Sequence, residues 1–123
     1  MNAPFSVGTD MVETDRIRKS VSRERFLKMV FSEEELELFG KKASPYESMA
    51  ANWAAKEAFA KALGTGVRGF ELKEISCLRD ELGAPYLKLS GKAQKAAEGL
   101  RFSVSLTHTK EYASAVVLAW SVK

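Results

Sequence analysis

The sequence predicts an α+β fold in which a largely antiparallel sheet packs against a long central helix. Residues 45–63 form an Ala-rich segment of high helix propensity, and small side chains on most of its faces let other elements approach closely. From residue 72 onwards the hydrophobic period becomes that of strands. Helices followed by a run of antiparallel strands are typical of the α+β class. The 123 residues are enough for one core, so we expect a single domain over 1–123.

Composition narrows the class of protein. Hydrophobic residues make up 46% and charged residues 28%, as in an ordinary folded soluble domain. No apolar run approaches membrane-spanning length and the first residues do not resemble a secretion signal, so we expect a cytoplasmic protein that does not contact membranes. The single cysteine, Cys77, excludes an internal disulfide and a cysteine-rich zinc site, and we expect it in the core of a strand.

The chain opens with a predicted short strand over residues 4–10. Asp10 is the last residue of this range, and the sequence allows two interpretations of it. The run Asp10-Met11-Val12-Glu13 matches a helix N-cap with an acidic residue three positions later, so that Asp10 would simply cap a helix over about 12–21. In the other interpretation its carboxylate belongs to a functional site.

Three more helices are predicted from their start and stop signals. Ser22 is expected to cap the second, and the run Ser32-Glu33-Glu34-Glu35 is a capping box that opens the third. The long helix is expected to begin with Ser44 as its N-cap and Glu47 closing a further capping box. Gly64 is its predicted C-terminal stop.

A glycine-rich loop from Gly64 to Gly69 follows the long helix. It is not a P-loop, because the glycines are not followed by Lys-Ser/Thr. Flexible backbone at a helix end and close approach to a ligand phosphate both remain open as interpretations. Beyond the loop we expect a hairpin, a short helix and two more strands, of which the last is central; the predicted ranges are 72–80, 85–89, 90–99, 101–107 and 112–122.

Basic charge is concentrated in one segment. From Glu13 to Lys28 there are six basic and three acidic residues, which accounts for the whole net charge of +3. A local basic surface on a near-neutral body favours an acidic partner, although a solvated helix of mixed charges is the plainer interpretation. Nucleic acid fits less well, because no aromatic residues are interleaved with the basic ones and no recognised motif is present.

Four side chains are candidates for chemistry. Glu57 and Lys61 lie four residues apart on one face of the long helix, as a surface salt bridge or as part of a site. His108, the only histidine, ends a predicted strand, where a lone histidine is usually a polar surface residue. Asp10 and Glu57 could hold Mg²⁺ if phosphates and water supply its other ligands. No Gly-x-Ser-x-Gly elbow is present, which argues against a nucleophilic triad.

Three motifs in register resemble the holo-(acyl-carrier-protein) synthases, which are the short, single-domain 4′-phosphopantetheinyl transferases. The motifs are Gly8-Thr9-Asp10-Met11-Val12-Glu13, the run from Trp53 to Gly66, and the run from Ser105 to Ala113. The middle motif is the most specific, and the resemblance covers nearly the whole chain. A carboxylate three residues after Asp10 is similar to the short synthases, since the longer two-lobed transferases carry it two residues after.

The resemblance implies a 4′-phosphopantetheinyl transferase-like fold and a reaction. The 4′-phosphopantetheine arm of coenzyme A would move to a serine of apo acyl carrier protein, with release of 3′,5′-ADP, in fatty acid or polyketide biosynthesis. Asp10, Glu57 and Lys61 would be catalytic: the two carboxylates would hold Mg²⁺ against the coenzyme A pyrophosphate, and Lys61 would stabilise or protonate the leaving phosphate or position the reacting one. Glu57 and a water on the metal are alternative acceptors of the serine proton. The residues implied in coenzyme A binding are His108, Lys61, Gly64, Thr65, Gly66 and Thr107.

The resemblance also gives the basic segment a use. In this family the helix after the first strand docks on the acidic carrier protein, and Arg16 has the docking arginine's place in the Asp-x-x-Glu-x-x-Arg-Ile run. Arg23 and Arg25 are looser matches. The alternative from a different class is a non-catalytic module that binds an acidic protein or nucleic acid through residues 16–28.

Two further features follow from the resemblance. The family works as a homotrimer with active sites between subunits, so His108 and Lys61 of one site need not come from the same chain. Many relatives carry an arginine at position 52, which can reach a coenzyme A phosphate. Asn52 keeps a hydrogen bond there but no charge.

Overall fold

Two antiparallel sheets and one long helix organise the protein in the computed structural model, which describes residues 3–122. The predicted α+β class is confirmed. The larger sheet has the order β1-β5-β4 and the smaller one pairs β2 with β3. The strands are β1 (Phe5–Glu13), β2 (Ile75–Arg79), β3 (Pro85–Leu89), β4 (Leu100–His108) and β5 (Tyr112–Ser121). The helices are α1 (Thr14–Val21), α2 (Glu24–Val30), α3 (Glu33–Gly40), α4 (Tyr46–Leu63) and α5 (Gly91–Ala96), with a 3-10 turn at Leu72–Glu74.

Most of the buried residues of helix α4 are alanines, which allow neighbouring elements to pack closely around it. Alanine is a strong helix former and leaves room for close packing, and the alanines at 50, 51, 54, 55 and 58 are completely buried. β1 approaches α4 closely at Gly8, where an added Cβ would lie 2.6 Å from the backbone nitrogen of Ala62 and still nearer the carbonyl oxygen of Ala58. Only glycine therefore allows β1 to lie directly on α4.

The larger sheet has one face on the core and one face outward. Its inner face carries the half-buried Phe102, Val104 and Leu106 that the alternating pattern predicts, and β5 is its central strand as expected. Cys77 is buried in β2, also as predicted. The outer face of β1 and β5 is also rich in apolar side chains, which are Phe5, Val7, Met11, Val116, Leu118 and Trp120. We call this set the outer sheet face.

The prediction that Asp10 caps a helix is wrong. β1 continues to Glu13 and pairs with β5 over its whole length, and Asp10 is the partner of Ala115. Glu13 occupies the N-cap position of α1 without a side-chain cap bond. Pairing along a long neighbouring strand outweighs a local capping signal here, because it satisfies the backbone groups of all these residues at once.

The other helix signals have mixed outcomes. The capping box at Ser32 and Glu35 is confirmed, with both reciprocal bonds formed, and Gly64 ends α4 in the left-handed conformation. Ser22 is not an N-cap: it follows the end of α1, and its hydroxyl donates to the carbonyl of Lys19. Ser44 does not cap α4, which starts after Pro45 without a side-chain cap bond.

Candidate active site

The contact between β1 and α4 brings two of the predicted catalytic residues into direct contact. The ammonium of Lys61 donates to the carbonyl oxygen of Thr9 at 2.9 Å, and its Nζ lies 3.4 Å from Oδ1 of Asp10. Within residues 3–122 the ion pair of Lys61 is with Asp10 and not with Glu57, so the predicted alternative of an i,i+4 salt bridge is not what the fold forms. Asp10 is mostly buried and Lys61 is exposed, so the lysine lies on the solvent side of the pair.

Glu57 joins Asp10 and Lys61 in what we call the charge cluster. Burial raises the pKa of this carboxyl, the negative charge of Asp10 raises it further, and the positive charges of Lys61 and Arg16 lower it. These opposing effects show that Glu57 is within electrostatic reach of all three residues. Because both burial and a nearby carboxylate disfavour the ionisation of Glu57, the site gains from a proton or a cation.

The donor chemistry fits Mg²⁺ as the cation. Within the described part of the chain, no group of three or more His, Cys, Asp or Glu side chains is placed to hold a metal ion. Mg²⁺, however, usually takes only one or two carboxylates from the protein when substrate phosphates and water supply the rest. Asp10 and Glu57 are such a pair, and a cation would offset the burial and the charge of Asp10 that raise the pKa of Glu57.

The glycine-rich loop begins one residue after α4 ends and three residues after Lys61. Gly64, Gly66 and Gly69 have φ values of 79°, 66° and 80°, a region that other residues adopt only with strain. The hydroxyl of Thr65 donates to the carbonyl of Gly66 at 3.0 Å. Residues 64–69 are all exposed, so their backbone is accessible to a ligand beside Lys61.

His108 lies apart from this cluster. It is the last residue of β4, as predicted, and its Nδ1 is 2.9 Å from Oε1 of Glu47 in the first turn of α4. Glu47 and Glu57 are ten residues apart on that helix, which corresponds to about 15 Å along its axis. Thr107 is exposed next to His108. The structure of one chain thus separates these two predicted binding residues from Lys61.

The predicted docking arginines are all exposed. Arg16 lies on α1, Arg23 directly precedes α2, and Arg25 is in the first turn of α2. Within residues 3–122 these three arginines form no intramolecular ion pair, whereas the neighbouring Arg18 and Lys19 are both paired with Asp15. Arg23 and Arg25 also line a shallow groove with Phe26 and Met29. The positive charge of these three arginines is therefore available to a partner.

Sequence reasoning missed a buried polar network beside the site. Lys56 and Glu35 form a completely buried ion pair with Nζ and Oε1 2.6 Å apart. Asn52 is also completely buried: its amide donates to Oε2 of Glu35 at 2.8 Å and to the carbonyl of Cys77 at 2.9 Å, and its oxygen accepts from Arg79 at 2.8 Å. A signal was present, because Asn52 and Lys56 are four residues apart on a face that is otherwise apolar.

Comparison with known proteins gives consistent matches. The profile of the 4′-phosphopantetheinyl transferase superfamily matches residues 6–117. A holo-(acyl-carrier-protein) synthase from Treponema denticola is 43% identical over 118 residues, covering 93% of this chain and 96% of that protein. The crystal structure of the holo-(acyl-carrier-protein) synthase from Neisseria meningitidis has a TM-score of 0.85 at 35% identity, covering 93% of this chain and 96% of that chain. The enzyme of the same name from Helicobacter pylori, solved in complex with coenzyme A, has a TM-score of 0.80 at 31% identity, covering 92% and 98%.

Proposed function

The chain belongs to the 4′-phosphopantetheinyl transferase superfamily, and from this we propose that it moves the 4′-phosphopantetheine arm of coenzyme A to a serine hydroxyl of apo acyl carrier protein, with release of 3′,5′-ADP. One observation carries the proposal at the level of residues. Asp10 and Lys61, which come from two separate motifs, meet where β1 packs on α4, and Glu57 is within electrostatic reach of both. Phosphoryl transfer needs mainly positioned charge, and this cluster supplies it.

Asp10 and Glu57 are the proposed ligands of Mg²⁺. When bound, the metal neutralises charge on the pyrophosphate of coenzyme A. The support is the donor set itself: burial and the nearby charge of Asp10 both raise the pKa of Glu57, so a bound cation would stabilise its ionised form. A carboxylate has two oxygens, so Glu57 keeps one free. That free oxygen is the proposed acceptor of the serine proton, because a carboxylate positioned in the site can act as a general base.

Lys61 is the proposed phosphate-facing cation. The carbonyl of Thr9 and the carboxylate of Asp10 orient its ammonium, and its position on the solvent side leaves it open to substrate. A positioned cation stabilises the charge that develops on the leaving phosphate. The neighbouring Gly64, Thr65 and Gly66 are proposed to approach the nucleotide with their exposed backbone.

The carrier protein is proposed to dock on α1 and the start of α2. Arg16, Arg23 and Arg25 supply exposed positive charge for an acidic partner, and Phe26 and Met29 add apolar surface between them. Charge of this kind chiefly raises the association rate and is screened by salt. Because Arg16 is within electrostatic reach of Glu57, a carrier docked here would present its serine beside the charge cluster.

A homotrimer is the proposed assembly, for two reasons. The outer sheet face exposes large apolar side chains, among them Val7 at 55% and Met11 at 67%, and a contiguous apolar patch is typical of an interaction surface. His108 and Thr107 end β4 beside the first turn of α4, too far from Lys61 of their own chain to join it, whereas a cyclic ring can bring them to the site of a neighbour. In this arrangement they bind the coenzyme A phosphates.

We place this activity in fatty acid or polyketide biosynthesis in the cytoplasm, with residues 1–123 as one domain. The resemblance to short synthases and the presence of one core within the described residues support this assignment. No helix in residues 3–122 combines the length and apolar character needed to cross a membrane.

The test is a carrier modification assay. The chain is incubated with coenzyme A, MgCl₂ and an apo acyl carrier protein, and the carrier is weighed by mass spectrometry. We expect a gain of one phosphopantetheine arm that is lost on chelation of the metal and in Asp10→Ala and Glu57→Ala. Glu37→Ala, which removes an exposed glutamate from α3, is the matched control and should keep the activity.

Two results would contradict the proposal. No mass gain with any tested carrier would refute the transfer, and full activity of both carboxylate variants would refute the site. The alternative of a binding module predicts carrier binding without modification, with the same affinity in Asp10→Ala as in the wild type.

A further inference from the structure

The buried lysine next to Glu57 uses all its hydrogen-bonding capacity inside the protein. An ammonium has three N–H donors, and those of Lys56 go to Oε1 of Glu35 and to the carbonyl oxygens of Leu72 and Ile75. The Leu72 bond is 3.0 Å long. Lys56 is completely buried, and a lysine is almost never so unless it is paired. Two of its three partners therefore belong to the segment that follows the glycine-rich loop.

Glu35 holds the lysine from a fixed position. Its Oε1 also accepts from the backbone nitrogen of Ser32 at 3.0 Å, and its Oε2 accepts from the amide of Asn52 and from the backbone nitrogen of Cys77 at 3.2 Å. These donors come from the start of α3, from α4 and from β2. The carboxylate cannot change rotamer without breaking several hydrogen bonds, so the Glu35–Lys56 ion pair keeps a fixed position between these elements.

The middle of the glycine-rich loop forms few backbone hydrogen bonds. Its backbone hydrogen bonds among the described residues are from Gly64 to the carbonyl of Lys61 and from Arg68 to the carbonyl of Gly66. Its far end is anchored by Phe70, which is buried and packs edge-on against Phe59 with ring centroids 5.8 Å apart. The bonds of Lys56 to the carbonyls of residues 72 and 75 provide the second anchor.

We infer that Lys56, held by Glu35, is a positioning residue that sets the glycine-rich loop against Glu57 and Lys61 so that the loop can receive coenzyme A. This inference rests on the proposed function. Simple stabilisation is a poor explanation of the pair, because a well-packed apolar pair of the same volume usually serves a core equally well or better. An apolar pair could not supply the bonds to the carbonyls of Leu72 and Ile75 in the segment that follows the loop.

The experiment replaces the whole pair. Glu35→Gln with Lys56→Met removes both charges at nearly constant volume, whereas Lys56→Met alone would leave a buried carboxylate without its partner. We expect the double variant to fold and to raise KM for coenzyme A about fivefold or more, with KM for the carrier protein within about twofold of the wild type. Val117→Ala is the control: it trims a fully buried side chain in β5, and both KM values should stay within about twofold of the wild type.

A second variant tests the loop through its other anchor. Phe70→Leu loosens the contact with Phe59 and leaves the ion pair intact, and it should produce the same selective rise in KM for coenzyme A. If either folded variant leaves that KM within about twofold of the wild type, or raises both KM values together, the positioning role is refuted. If the double variant does not fold, Glu35→Gln replaces it: this variant removes the charge that holds Lys56, and it should give the same selective rise in KM for coenzyme A. Wild-type turnover is the baseline, so a failure of the proposed function itself would be seen first and separately.

Discussion

Replacement of Gly8 by alanine should disturb the contact on which the charge cluster depends. A Cβ at this position would lie 2.6 Å from the nitrogen of Ala62 and nearer still to the carbonyl oxygen of Ala58. Non-bonded heavy atoms prefer about 3.5 Å or more, so β1 and α4 would have to separate by roughly 1 Å. The atoms in the way belong to a helix backbone, which cannot rotate aside as a flexible side chain can.

Both stability and activity should fall in this variant. Overpacking costs typically about 1–3 kcal/mol, and we expect the upper end here, which corresponds to a fall in Tm of about 10 °C for a domain of this size. Asp10 is two residues after the clash on β1, and Glu57 and Lys61 are next to the two contacted residues of α4. A misplacement of about 1 Å at a catalytic constellation can cost on the order of 100-fold in rate.

The assay combines thermal unfolding, followed by circular dichroism, with the initial rate of carrier modification measured well below Tm. Gly40→Ala is the matched control, because an added Cβ there meets no atom within 4 Å and alanine is the better helix former. It should keep the wild-type rate and the wild-type Tm or a slightly higher one. Wild-type Tm and rate in Gly8→Ala would refute the reasoning, as would an equal loss in Gly40→Ala.

Three further predictions concern the charge cluster, the docking surface and the assembly. Because the folded-state pKa of Glu57 is raised, its ionisation lowers the free energy of unfolding at pH values above that pKa. Glu57→Gln should therefore stabilise the protein at pH 7, by on the order of half a kcal/mol because solvent screens a partly exposed group. The same variant should abolish turnover, since it removes a proposed metal ligand. Urea unfolding at pH 7 and pH 4 checks the sign, and a gain that persists unchanged at pH 4 would contradict it. Arg16→Glu should raise KM for the carrier about tenfold or more, far beyond its effect on KM for coenzyme A. Lys95→Glu is the control, because it makes the same change of charge elsewhere on the surface. Equal effects of Arg16→Glu on both KM values would indicate a structural role instead. Leu118→Asp on the outer sheet face should dissociate the proposed trimer in analytical ultracentrifugation and remove activity, and an unchanged sedimentation coefficient would count against that interface.

Local signals in the sequence predicted the elements whose bonds are also local. The box at Ser32 and Glu35 and the stop at Gly64 both form, because each depends on residues within a few positions of the helix end. The alternating pattern predicted the inward residues of β4, since a strand with one buried face requires it. The residue types of the candidate site could likewise be identified from three motifs.

Local signals failed where a residue has a distant partner. Asp10 looked like a helix cap but is held in β1 by its pairing with Ala115. Glu47 looked like part of a capping box, but its carboxylate contacts His108, 61 residues away. In both cases tertiary contacts replaced the local bond, because they were formed by elements that lie far apart in the chain.

The sequence by itself determined the α+β class, the long central helix and the chemical types present at the site. Only the tertiary structure decided which charged side chains pair with each other. Lys61 contacts Asp10, 51 residues away, rather than Glu57 one turn back, and the adjacent Lys56 turns inward to Glu35. The physical reason is that a charged side chain selects its partner by burial and distance, and both depend on how closely β1, α3 and the loop after α4 pack around that helix.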